Sequence, residues 1–483
     1  MTTLIHRSAL CALLIGATLA ADTHAQWSTD SLSVSRNAAA AVASDGKAYF
    51  AGGRIGSNQS DVVDILDEAS GTWSQATLSV PRSDIAAVAV GQYVLFAGGA
   101  TSNTTSSEVV DVLDTQTMLW STTTLSSARI TAATCVGNKA LFAGGYGGGM
   151  AAPVASDVVD IFDADLGAPG DAQAWSTATL SVPRGLLSAT SAGDHALFAG
   201  GRDDVLTGGL HEYDTVDIYD DFTGLWSTAT LSQARKYVAA VSVGAHAYFA
   251  GGGFASNVSD VVDVYDADTA TWTSMTLSVP RERTAAAAVG NTVLFAGGFL
   301  PGGVTTAAVD VLDDTTQTWG PTESLSAGTG GLATTSVGSR ACFAAGFGSS
   351  GVTDVVDVYT SPWEELGGGT TGAGGQPTLA GFGSFVAGTP VSLTLTDAPP
   401  AAPMLAWVSL GATPFPALGG TAHALPYALE LLLSADGEGG AGLGTTWPVG
   451  IPTGTPLWFQ FIVLDATAPP GLTLSNGLLA TVP

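Results

Sequence analysis

Phe96-Ala97-Gly98-Gly99, which ends the run Tyr93-Val94-Leu95-Phe96-Ala97-Gly98-Gly99, returns in near copies along most of the chain. The phenylalanines of the copies are Phe50, Phe96, Phe142, Phe198, Phe249, Phe295 and Phe343, spaced 46 to 56 residues apart. Two further landmarks keep step with them. A tryptophan recurs at Trp27, Trp73, Trp120, Trp175, Trp226, Trp272 and Trp319, in most copies ahead of a Ser/Thr-rich run that ends in Leu-Ser. An aspartate centres an alternating string such as Asp61-Val62-Val63-Asp64-Ile65-Leu66-Asp67, with relatives at Asp111, Asp160, Asp217, Asp263, Asp310 and Asp357. Self-similarity at a fixed period of this length signals a repeat architecture.

Each unit divides into four short strands. Arg82 to Val90 is small and apolar, Val94 to Ala97 ends at the double glycine, Val109 to Leu113 alternates, and Trp120 opens a Thr-rich run. Runs of Val, Ile, Phe, Tyr and Thr bounded by Gly, Asp and Asn are strand signals, and no stretch carries a 3.6-residue period. Four antiparallel strands at this period predict the blades of a β-propeller, in which each thin sheet buries its faces against its neighbours. The double glycine permits close packing or a positive φ.

The order of hydrophobic run, double glycine, acidic strand ending in Tyr-Asp or Leu-Asp, then Trp resembles the kelch repeat over residues 27–366. That resemblance implies a seven-bladed propeller. The last copy departs from the pattern, with Ala344-Ala345-Gly346 at the double glycine and Thr360 in place of Asp. From the central Asp to the next Trp is nine residues in five units but only six from Asp357 to Trp363, while Trp27 begins a fourth-strand motif with no strands before it. The segment at Trp27 is therefore expected to pair with the strand around Val356 and close the ring.

Outside the repeat, residues 1–25 hold His6 and Arg7, an apolar run from Ala9 to Ala20 and small residues at Thr23-His24-Ala25. This reads as a secretory signal peptide, placing the mature protein outside the cytoplasm, secreted or periplasmic. The propeller is assigned to residues 26–366 and a Gly/Thr-rich flexible linker to 367–376. Residues 377–483 form a small C-terminal β-sandwich-like module with strands expected at Val391–Thr396, Leu405–Leu410, Leu429–Leu433, Trp458–Leu464 and Leu472–Val482. It resembles C-terminal modules of other secreted bacterial proteins. No stretch is long and apolar enough for a transmembrane helix.

The formal net charge is −28, and no Lys or Arg follows Arg340. Phosphate binding depends on basic side chains, so nucleic acid is not expected as a partner and anionic membrane surfaces are poor candidates. Insertions lengthen the loops between strands two and three of the third and fourth units. Those loops share a face with the connections from strand four to the next strand one, and binding residues gather on loops held by a rigid scaffold. The candidate ligand-binding residues on this face are Tyr146, Arg202, Asp203, Asp204, His211, Glu212 and Tyr213. The same face is expected to carry Arg36, Arg82, Arg129, Arg184, Arg235 and Arg281, each four residues after the Leu of Leu-Ser. Such a near-ring of guanidinium groups could hold a carboxylate or a sugar acid. In the other reading each arginine pairs with the mid-strand Asp of its own or a neighbouring sheet, because those aspartates need a partner.

Catalytic constellations are missing from the sequence. His195 and His246 occupy a polar turn position that other units fill with Lys47, Tyr93, Lys139, Thr292 or Arg340, while His211 and His423 stand alone. No zinc-protease, nucleophile-elbow or paired-cysteine motif occurs, and the acidic strands alternate in facing, so one strand cannot wrap a calcium ion. Cys135 and Cys342 align with apolar strand positions and are expected to pack rather than react. The expectation is a monomeric binding or interaction protein without cofactor or metal, its partner a carbohydrate or an exterior protein. The alternatives are a sugar-modifying enzyme, since the kelch resemblance includes exported mutarotases and oxidases, and a structural component of the cell exterior.

Overall fold

The computed structural model describes residues 26–482 apart from 149–150, 152, 204–210, 373–374, 386 and 438. The leader read at residues 1–25 therefore lies outside the described residues, as does Asp204. Among the described residues the regular structure is β throughout, with one short 3-10 turn at Ala172–Ala174 and no α-helix.

The repeat units fold as antiparallel four-stranded sheets. In the first, Ala40–Ser44, Lys47–Ala51, Val62–Asp67 and Thr72–Thr77 lie side by side in chain order. Among the described residues seven sheets follow this plan, and the innermost strand of each packs against that of the next. The last sheet draws its outer strand from the N-terminus. Trp27–Ser31 pairs with Val355–Thr360, Trp27 opposite Tyr359 and Asp30 opposite Val356. Phe50 and Trp73 of the first sheet share a core with Cys342, Val356 and Val358 of the last, so the stack of sheets closes on itself. Each sheet alone is too thin to cover its own apolar side chains, and closure removes both exposed ends.

The double glycine forms the joint between sheets. The second glycine of each pair, or Gly346 in the last unit, donates its amide to a carbonyl that opens the next sheet: Gly53 to Arg82, Gly99 to Arg129, Gly145 to Arg184, Gly201 to Arg235, Gly252 to Arg281, Gly298 to Thr329 and Gly346 to Arg36, all at 2.8–3.0 Å. At Gly145, with φ +104°, a Cβ would stand 1.6 Å from the carbonyl oxygen of Ile130, so no larger residue fits there.

The C-terminal residues form two further sheets around one core, in which Leu379, Val391, Leu393 and Leu395 face Met404, Ala406, Phe459, Phe461 and Val463. Two expectations need correction here. Trp363–Gly367 pairs with Gly477–Thr481 and Trp363 packs on Phe385 and Phe459, so these residues belong to the C-terminal sheets and the propeller ends earlier than 366. The Gly/Thr-rich stretch that follows is bonded to that unit: the Thr370 amide donates to the Leu474 carbonyl at 2.9 Å, and the Thr421 amide to the Gly368 carbonyl at 2.9 Å. The C-terminal unit meets the propeller where the outer strand of the sixth sheet is broken between Thr318–Trp319 and Glu323–Ser324; Phe382 packs there against the core holding Val311 and Tyr359.

Cys135 and Cys342 are free and sit in inter-sheet cores, where burial pushes their thiols up to about 11 and about 12. Both are therefore protonated at neutral pH and poor nucleophiles.

On the side of the ring away from the double glycines, His246 Nδ1 lies 2.9 Å from Asp314 Oδ1 across the fifth and sixth sheets, and the Tyr248 hydroxyl donates to the same oxygen at 2.5 Å. The Asp314 contact raises the His246 pKa, outweighing burial, with Asp266 and Asp268 adding to it. A raised folded-state value means that this stabilisation is complete below the unfolded pKa and fades as pH rises through the folded one. The expected size is at most about 1 kcal/mol for a pair that still meets solvent. In thermal melts from pH 5.5 to 8.5, wild type should lose its advantage over His246→Gln as pH rises; parallel curves would show that the pair contributes nothing.

Candidate functional site

Six of the seven innermost strands are entered through a buried arginine, and all six candidates of this kind are enclosed, at 0–1% exposure. Arg36 meets Asp64 at 2.8 Å, Arg129 meets Asp160 at 2.7 Å, Arg184 meets Asp217 at 2.8 Å and Arg281 meets Asp310 at 2.7 Å; Arg82 pairs with Asp111 and Arg235 with Asp263. In every case the aspartate belongs to the arginine's own sheet. The guanidinium also donates to the carbonyl of that sheet's phenylalanine, as Arg129 does to Phe142 at 3.0 Å. Neither a carboxylate nor a sugar acid can reach these groups: of the two readings, the pairing of each arginine with a mid-strand Asp is the one the structure shows, and no guanidinium ring lines the channel mouth.

The surface of the mouth is supplied two residues further on. Ala38, Asp84, Leu186, Tyr237, Arg283 and Gly331 all take left-handed backbone conformations, with φ between 51° and 65°. Their backbones are joined from sheet to sheet: Asp84 donates to Ala38 at 2.9 Å, Tyr237 to Leu186 at 3.2 Å, Arg283 to Tyr237 at 3.3 Å and Gly331 to Arg283 at 3.1 Å. The third sheet differs, because its inner strand Ile130–Val136 carries a bulge at this point and holds Thr131 instead. A left-handed backbone costs a non-glycine residue roughly 1–2 kcal/mol, and residues held in this way gather at sites where geometry matters more than stability.

These six residues, with Phe299 and Phe347, border a cavity of about 340 Å³. The Arg283 guanidinium stands 3.9 Å above the Tyr237 ring. Asp84 is held by Arg54 at 3.3 Å and by the Ser83 hydroxyl at 2.9 Å. A second cavity of about 550 Å³ adjoins the first, sharing Arg283 and Phe299 and reaching outward past Arg202, Lys236 and Glu282 to the turns at 255–258 and 300–303.

The inserted loop of the fourth sheet meets this second cavity. Tyr146, expected on the surface, is 1% exposed, and its hydroxyl donates to the carbonyls of Arg202 at 3.1 Å and Asp203 at 3.0 Å; it supports the loop from beneath and is not a contact residue. Burial raises the Tyr146 pKa, so the hydroxyl stays a donor. Arg202 borders the cavity, Glu212 holds Lys236 at 2.9 Å, and the Asp203 carboxylate accepts the His211 amide at 2.7 Å. His211 and Tyr213 lie beside this with their rings 4.9 Å apart. The structure thus brings Arg202 to the cavity, places Glu212 behind it as the partner of Lys236, and leaves Tyr146 and the six blade arginines inside the protein.

Sequence reasoning missed Asp84, Tyr237, Arg283 and Phe299. A signal for three of them was present. Two residues before this position, six of the seven copies carry Arg; at the position itself, Ala38, Asp84, Leu186, Tyr237, Arg283 and Gly331 are all different. A repeat position that the scaffold does not dictate, at the rim of a rigid ring, is free to serve a ligand.

The Kelch motif matches residues 35–77, which run from Arg36 through the outer strand of the first sheet. Comparison with curated proteins found no match.

Proposed function

We propose that this kelch-motif propeller is a binding protein that seats a segment of a partner protein at the channel mouth ringed by Ala38, Asp84, Leu186, Tyr237, Arg283 and Gly331. The kelch motif supports a protein-interaction role, and the export signal read in residues 1–25 supports a place outside the cytoplasm. One observation carries the choice of site: six left-handed positions with six different side chains border a single cavity, each two residues beyond a position that holds arginine in six of the seven copies. Tyr237 and Arg283 are residue types that dominate binding energy at protein interfaces, and phenylalanine, as at Phe299, is enriched in interface cores.

Panning a random dodecapeptide library on the immobilised full chain tests this reading. Recovered peptides are expected to lose at least tenfold in affinity when Tyr237→Ala or Phe299→Ala replaces wild type, about 1.4 kcal/mol or more. Failure to recover any peptide, or equal affinity for both variants, would refute the site. A glycan array run in parallel addresses carbohydrate, and glycan binding that survives both substitutions would move the site elsewhere.

A further inference from the structure

The charge on this protein is unevenly distributed. Against a net charge of −28 the chain holds 14 basic residues, of which Arg7 lies outside the described residues and six are spent in the internal pairs. The others are Lys47, Arg54, Lys139, Arg202, Lys236, Arg283 and Arg340. Lys47, Lys139 and Arg340 open second strands, at the far end from the double glycines. There Lys47 is paired with Asp67, and Lys139 with Asp221 at 2.7 Å. Arg54, Arg202, Lys236 and Arg283 all lie on the mouth side, just after a double glycine or a blade arginine.

Two of these four have partners: Arg54 is matched by Asp84 and Lys236 by Glu212. Arg283 makes no ion pair among the described residues; its guanidinium rests over the Tyr237 ring. Arg202, at the other end of the second cavity, makes no ion pair among the described residues either, and its Nε is enclosed without an acceptor. Glu282 is the one carboxylate among the described residues bordering that cavity. Surface cations in so acidic a chain would be neutralised cheaply by any of its own carboxylates. Two arginines without an ion pair among the described residues, Arg283 and Arg202, therefore give the groove a local positive character, and Phe299 lines the same groove.

We infer that the joined groove binds an extended acidic segment of a partner protein, its carboxylates reaching Arg283 and Arg202 and an intervening apolar side chain resting on Phe299. The inference rests on the mouth reading above and adds the chemistry of the partner. Arginine suits this role because its fork donates two parallel hydrogen bonds to a carboxylate, which lysine cannot match. The rest of the protein repels acidic chains, so the groove fixes where and in what register such a segment can approach.

The test uses fluorescence anisotropy of the full chain with three labelled decapeptides: one of Glu with a central Leu, its Gln counterpart and its Lys counterpart. The acidic peptide is expected to bind at least tenfold more tightly than the other two. Raising NaCl from 50 to 300 mM should weaken it at least fivefold. Arg283→Gln should weaken it at least tenfold and Arg283→Lys by less, while Arg340→Gln, on the far face, should leave it within twofold of wild type. Circular dichroism melts identify any variant that has merely unfolded. Equal binding of the Gln peptide, an unchanged affinity in Arg283→Gln, or binding of oligogalacturonate in place of the peptide would overturn the inference. Library peptides that depend on Tyr237 but carry no excess of Glu or Asp would overturn it while leaving the binding site standing.

Discussion

Asp111→Ala is expected to destabilise the propeller by about 3–5 kcal/mol, the cost of leaving a buried charge without its partner. Arg82 is fully enclosed, and Asp111 is the carboxylate that faces it. The aspartate has a second task, since its other oxygen accepts the amide of Ser79 at 2.8 Å and so ties down the crossover entering the second sheet. Removing it strands a guanidinium and an amide together. The guanidinium cannot turn to water, because its remaining bonds run to the carbonyls of Gly98 at 2.7 Å and Val109 at 2.6 Å. A melting temperature within a degree of wild type would mean that the pair contributes little.

The seventh sheet supplies the comparison within the same molecule. Thr329 stands where the other sheets have arginine, and its hydroxyl donates to the Ala327 carbonyl at 3.3 Å. Asp357 nonetheless accepts the Ser326 amide at 2.9 Å, so the crossover bond forms without an ion pair. Asp357→Ala should therefore cost only what an unmade hydrogen bond costs, about 1–3 kcal/mol. Equal losses at Asp111 and Asp357 would show that the crossover bond carries the whole effect and that the guanidinium contributes nothing.

How far the fold can be read from the sequence follows from the range of the interactions involved. The strand pattern, the double glycine and the spare fourth strand at Trp27 are local or periodic, and copies of one unit reinforce one another. The direction of Arg82 is neither local nor periodic in its cause. It follows from the carbonyls of Phe96, Gly98 and Val109 converging with Asp111 on one enclosed point, and sequence spacing places the arginine on a loop just as well. Composition misled for the same reason in the stretch read as a linker at residues 367–376. Glycine and threonine there suggest a free linker, yet the partner of Thr370 is Leu474, 104 residues away. The mouth was legible in part: comparing aligned copies separates positions the scaffold repeats from those it leaves open, which picks out Asp84, Tyr237 and Arg283. Phe299 directly follows a double glycine, in register with Arg54, Ala100, Tyr146, Arg202, Gly253 and Phe347, and only the cavity singles it out.

Removal of the strand Trp27–Ser31 should do more harm than any single substitution, because it opens the ring. Five backbone pairings to Val355–Thr360 would be lost. So would the Trp27 contacts with Phe343 at 5.9 Å and Tyr359 at 5.3 Å, the Trp27 indole bond to Glu323, and the Trp73 indole bond to Asp30 at 2.6 Å. Trp27→Ala alone is expected to cost about 3 kcal/mol, the lower end for truncating a packed tryptophan, since this ring is only partly buried. A chain beginning at Leu32 would present Val355–Thr360 as a bare edge between Val356 and Val358, an invitation to pair with another molecule. Scanning calorimetry should show its melting transition lowered and broadened, and light scattering should show dimers or larger species. A synthetic peptide covering residues 26–36 should restore part of the lost melting temperature by adding itself to that edge, as extended peptides do on open sheets. Rescue requires sequence-specific register, so a scrambled peptide should fail. If the truncated chain melted like wild type, the N-terminal strand would be an ornament on a ring already closed by its inner strands. If both peptides rescued equally, the edge would be sticky without being specific.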